Sequence, residues 1–147
     1  MTFGSVDVGD VGEGVVATLL YFVVGAGVLA LGFLVLDLLT PGNLRRQVYV
    51  DRRPNATVLL AANHLSLAII VVTAILTSSD SLAQGLVDSA VYGLVGIALQ
   101  ALALRVLDGV VPGHLRAVVD EPTLSPAAWA IAASLVAIGG VTAAALS

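Results

Sequence analysis

The chain alternates long apolar stretches with short polar breaks, and four of the stretches are long enough to cross a bilayer. Crossing as a helix takes about 20 mostly apolar residues. Residues 15–36, 89–104 and 122–147 carry no charged side chain, and residues 54–79 carry only the titratable His64. The pattern predicts helices near 15–39, 55–77, 84–110 and 126–146. The breaks between them hold helix breakers: Pro41-Gly42 and Pro54, then the run Thr77-Ser78-Ser79-Asp80-Ser81, then Pro112-Gly113, Pro122 and Pro126. Pro54 and Pro126 stand at helix starts, where proline is tolerated. The expected fold class is an all-α integral membrane protein with four transmembrane helices. Residues 1–14 place Asp7, Asp10 and Glu13 among glycines and read as a short, exposed, flexible tail, without the basic start of a secretory signal.

The pattern also repeats. Shifted by 71 positions, Tyr21–Val50 falls on Tyr92–Glu121 without a gap, with 13 identities in 30. Val35-Leu36-Asp37, Pro41-Gly42 and Leu44-Arg45 return as Val106-Leu107-Asp108, Pro112-Gly113 and Leu115-Arg116. The reading is one membrane domain over 15–147, built of two hairpins, at about 15–77 and about 84–147. Two spans per copy make the copies parallel, related by a pseudo-two-fold axis along the membrane normal.

Composition agrees: 59% of residues are hydrophobic and 11% charged, and the mean hydropathy is +1.04. A soluble domain of this size could not bury so much apolar surface. The basic residues are six arginines, Arg45, Arg46, Arg52, Arg53, Arg105 and Arg116, all in or beside the first and third connections. The tail and the second connection carry only Asp7, Asp10, Glu13, Asp80 and Asp88. The positive-inside rule then makes connections one and three cytoplasmic and puts both termini outside a cell (inner) membrane. Without cysteine there are no disulfides and no thiolate metal sites. The acidic balance argues against nucleic acid. Abundant Ala, Val and Gly without Lys suggests a GC-rich prokaryotic genome, bacterial or haloarchaeal.

The pattern Tyr21, Gly25, Leu36-Asp37, Thr40-Pro41-Gly42, Leu44 and Asn55-Ala56, partly repeated in the second half, resembles the domain of unknown function 350 family. These are small prokaryotic inner-membrane proteins, and the likeness covers nearly the whole chain. The resemblance implies a four-helix membrane protein and supplies no reaction. The second copy departs from it, with Val111 for Thr40 and Pro126 for Asn55, so the first hairpin keeps more of the pattern.

The polar residues in or near the spans are the candidate site. Asp37 and Asp108 each precede a Pro-Gly turn by four residues. They read either as structural locks, with Arg105 placed to pair with Asp108 at i, i+3, or as a proton- or cation-handling pair facing the pseudo-two-fold axis. Asn63 and His64 lie near mid-membrane, as a proton relay or as interhelical glue together with Ser66 and Thr73, and Gln100 is their natural partner. Gly25, Gly27 and Gly32, with Gly96, Ala98 and Ala103, form small faces for helix packing, as does Gly139-Gly140. Arg45, Arg46, Arg52, Arg53 and Arg116 can meet anionic headgroups or a cytosolic or membrane protein partner.

No catalytic constellation is present, and His64 and His114 sit at different depths with no companions for a metal. The sequence therefore predicts a non-enzymatic membrane scaffold or partner-binding component, without cofactor or metal and expected to form a homo-oligomer. The rival is a small oligomeric channel or transporter for protons or small cations.

Overall fold

A computed structural model describes residues 8–40, 42–79, 81–112 and 114–146. All regular structure among them is helical: α1 (Val8–Leu39), α2 (Leu44–Tyr49), α3 (Pro54–Leu76), α4 (Leu82–Val110), α5 (His114–Asp120) and α6 (Pro126–Leu146). The four long helices, α1, α3, α4 and α6, are each long and apolar enough to span a membrane. At 1.5 Å per residue, the 23 residues of α3 and the 21 of α6 reach just past a hydrocarbon core of about 30 Å. The longer α1 and α4 exceed that length.

Two helix starts and the two arginine-bearing connections differ from the sequence expectation. α1 begins at Val8 rather than 15, so residues 8–14 of the expected tail are helical, while residues 1–7 lie outside the described residues. The glycines there lower helix propensity but do not stop a helix already nucleated by its packed part. α4 begins at Leu82, where Ser81 as N-cap accepts the Gln84 N–H at 3.3 Å. The first and third connections each fold into a short helix, α2 and α5. The apolar positions that seat them, Leu44 in α2 and Leu115, Val118 and Val119 in α5, are too few to show as a periodic pattern.

The spans pack as a flattened four-helix bundle. α3 and α4 each touch the other three spans, while α1 and α6 lie at opposite corners. A strict two-fold would carry the α3–α4 contact onto α6–α1, so the two copies repeat at their turns more faithfully than in the packing of their spans. Gln100 ties α4 to α6, whereas its counterpart 71 positions earlier, Leu29, offers no such bond between α1 and α3.

The core forms two apolar clusters. One, at the end bearing α2 and α5, includes Leu36, Leu44, Leu59, Leu104, Leu115 and Leu135. The other, towards the opposite end, includes Val28, Leu67, Ile70 and Ile97.

Lipid tails are as apolar as leucine, so helices associate by close packing and hydrogen bonds. Glycines make the closest approaches: Gly32 against Leu67, Gly93 against Val28, Gly96 against Ile70 and Gly139 against Ser66. Gly27 and Gly140 face outward, with no such neighbour. A Cβ at Gly139 would overlap Ser66 Oγ and lie 2.9 Å from Ser66 Cα. Backbone cannot yield as a flexible side chain does, so Gly139→Ala should cost about 1–3 kcal/mol. Gly140→Ala should be neutral or stabilising by up to about 1 kcal/mol through helix propensity. Thermal unfolding in detergent compares the two; equal melting temperatures would refute the α3–α6 contact as drawn.

Candidate functional site

The first and third connections meet at one end of the bundle, and two carboxylates organise them. Asp37, in the last turn of α1, turns its Oδ1 forward to accept the Leu44 N–H at 2.7 Å, the first N–H of α2. Asp108, in the last turn of α4, accepts the Leu115 N–H of α5 at 2.8 Å. Opening N–H groups of a helix have no partner within the helix, and each carboxylate supplies one. Asn43 completes the start of α2 by accepting the Arg46 N–H at 3.0 Å.

The arginines are not equivalent. Arg46 lies 3.6 Å from Asp51 and Arg116 lies 3.5 Å from Asp120. Arg53 donates to the Asp120 carbonyl and so bridges the two connections. Arg52 holds a left-handed backbone, φ 51°, where the chain turns into α3. The pairing of Arg105 with Asp108 does not form. Arg105 is exposed, while Asp108 is directed on to α5, with His114 Nδ1 at 3.8 Å from its Oδ2. Arg45 is exposed and has no ion pair or hydrogen bond among the described residues.

Asn55 makes the densest polar contact of this end. It is fully buried at the start of α3. Its Nδ2 faces the carbonyls of Val118 at 2.9 Å, Glu121 at 3.2 Å and Thr123 at 2.9 Å, and its Oδ1 accepts the Ser125 N–H at 2.9 Å. One side chain of the first half thus fixes the turn from α5 to α6 in the second. The corresponding residue of the second copy is Pro126, which can do none of this.

Deeper in the bundle, the expected layer of Asn63, His64 and Gln100 is divided. Gln100 Nε2 donates to the Leu135 carbonyl at 3.2 Å, and Ser66 Oγ donates to the same oxygen at 2.9 Å. His64 faces the other way. Its Nδ1 lies 3.0 Å from the Leu60 carbonyl, which can only accept, so Nδ1 carries the proton. Its ring sits 5.8 Å from that of Phe33 on the α1 side. Thr73 bonds back to the Ile69 carbonyl of its own helix at 3.0 Å. Asn63 Nδ2 and Gln100 Oε1 are buried without partners, and both residues line a small cavity between α1, α3 and α4. Its volume of about 10 Å³ has room for about one water.

The aspartates, at the rim, therefore do not join Asn63, His64 and Gln100 in one lining. The described residues include no group of three or more His, Asp or Glu that could hold a metal ion. Sequence reasoning named Ser66 but could not supply its acceptor, which is a backbone carbonyl. Asn55 carries part of the family resemblance, and the sequence signal of its reach is a polar residue at a helix start whose counterpart is proline. Asn55→Ala removes four bonds and strands a buried N–H, each unsatisfied buried group costing about 1–3 kcal/mol. Its melting temperature in detergent should fall further than that of Asp37→Asn, which keeps an acceptor oxygen. A wild-type melting temperature for Asn55→Ala would contradict this.

Residues 10–146 match the model of the Domain of Unknown Function (DUF350) family. The chain is 50% identical over 144 residues to a UPF0719 transmembrane protein of Mycolicibacterium paratuberculosis, covering 98% of this chain and 95% of the relative. It is 55% identical over 145 residues to the UPF0719 transmembrane protein Mb2631 of Mycobacterium bovis, covering 99% and 95%. No solved structure matches the chain. With its four apolar spans, this chain belongs to the DUF350 family of transmembrane proteins.

Proposed function

We propose that this chain is a non-enzymatic membrane scaffold, a partner-binding component rather than a conduit for protons or cations. The observation that carries the reading is the use made of its polar groups. Asp37, Asp108, Asn55, Ser66 and Gln100 are each engaged in holding one helix to another helix or to a connection. His64 is directed to the side of the bundle away from Gln100's bond to α6. A conduit needs these groups facing one continuous wet path; a scaffold needs them paired in a dry bundle.

In this reading the arginine-bearing end is cytoplasmic, by the positive-inside rule, and both termini lie outside a prokaryotic cell membrane. The partner is a second copy of this chain, met along the outward face of α1. There Gly27 leaves the backbone open and Phe22, Val23 and Leu34 are exposed. Small residues at such a face permit close helix approach.

Proteoliposomes decide between scaffold and conduit. Proton and monovalent-cation flux through the wild type should not exceed that of empty liposomes at matched incorporation, and Asp37→Asn/Asp108→Asn should lower thermal stability in detergent. Wild-type flux that the folded double mutant abolishes would overturn the scaffold and make the two aspartates transport residues.

A further inference from the structure

Between α1, α2 and α3 lies an open groove of about 710 Å³. Arg45 and Tyr49 of α2 and Thr57 of α3 stand at its mouth. Phe33 and Ala61 line its walls, and His64 lies deepest along α3. From Pro54 at the start of α3 to His64 is ten residues, or about 15 Å along the helix. That is half of a hydrocarbon core of about 30 Å. The groove is therefore one leaflet deep, polar and cationic at the surface end and apolar below.

Arg45 is what sets this groove apart. Among the described residues Arg46, Arg53 and Arg116 have partners in the protein, whereas Arg45 is exposed at the groove mouth without one. The second half offers no equivalent: Arg116 is paired with Asp120, and the counterpart of His64 is Leu135, buried in the core.

We propose that this groove seats one anionic phospholipid from the leaflet on the arginine side. The phosphate meets Arg45 at the mouth, where the Tyr49 hydroxyl can donate to a headgroup oxygen, while Thr57 spends its own proton on the Arg53 carbonyl. One acyl chain lies along Phe33 and Ala61 and ends near His64, whose Nδ1–H is already engaged by Leu60. The charge of Arg45 selects anionic over zwitterionic headgroups, and the depth of the groove requires an acyl chain. The inference does not depend on the scaffold reading, since a lipid could sit here in a scaffold or a conduit.

Native mass spectrometry of the full-length protein in detergent tests it, with phosphatidylglycerol or phosphatidylcholine of the same acyl composition. One basic residue near the surface favours an anionic lipid by about fivefold, so the wild type should retain phosphatidylglycerol about fivefold more than phosphatidylcholine. Arg45→Gln should abolish that preference, while Arg46→Gln, whose charge is turned to Asp51, should keep it. Ala30→Phe, which puts a ring into the groove from the exposed side of α1, should reduce retention of both lipids at an unchanged melting temperature. Equal retention of the two lipids by the wild type would overturn the proposal. So would equal losses in the Arg45 and Arg46 variants, full binding by folded Ala30→Phe, or displacement by inorganic phosphate alone.

Discussion

The carbonyl oxygen of Leu135 is the point on which the bundle closes. Regular helical bonding assigns it the N–H of Gly139, one turn on. Ser66 from α3 and Gln100 from α4 bring two further donors to the same oxygen. Three spans thus converge on one peptide group, and they can do so because Gly139 has no side chain to hold α3 away. In water such a junction would be secondary to hydrophobic burial. In lipid the apolar side chains are as well solvated by acyl tails as by one another, so close backbone contact and interhelical hydrogen bonds set the arrangement. Measured interhelical bonds in membranes are worth only about 0.6 kcal/mol on average. The junction therefore specifies register and neighbours more than it adds stability.

A second constraint governs the arginine-bearing end. Helix ends and short loops leave backbone groups unpaired, and each must find a partner. Asp37 and Asp108 meet this need in the same way in the two copies, by reaching seven residues ahead to an N–H in the first turn of a short helix. Asn55 meets it across the copies, and Arg53 supports it from the surface. The two connections become one fixed platform, on which Arg46, Arg53 and Arg116 are held by local partners and Arg45 faces the groove beside α3.

These two constraints explain why an intramembrane carboxylate, histidine or amide need not signal transport. An ionisable residue within a span is a functional candidate by default because burying it is unfavourable. Here each aspartate lies at the rim with a backbone donor, and the histidine lies on an outer face. The half-satisfied pair, Asn63 and Gln100, shares a cavity about the size of one water. The division of polar groups between core, rim and groove, more than their number, favours a static role for the interior.

The sequence by itself determined the spans, their number and the segregation of charge. Bilayer thickness sets a length threshold that residues 15–36 and 122–147 pass on composition alone, and arginine placement is a one-dimensional signal. The shared turn was legible too, because Asp, Pro and Gly at fixed spacing do local work that a 71-residue shift exposes. Helix rotation was not legible. Spans that are apolar all round carry no stripe to mark an inner face, so nothing in the order of residues could say that Gln100 meets Leu135 while His64 turns to Phe33. The acceptors that decide those contacts are backbone carbonyls, which every residue possesses. Only the tertiary structure chooses among them, by bringing Ser66 against Gly139 and Asn55 beneath the turn into α6.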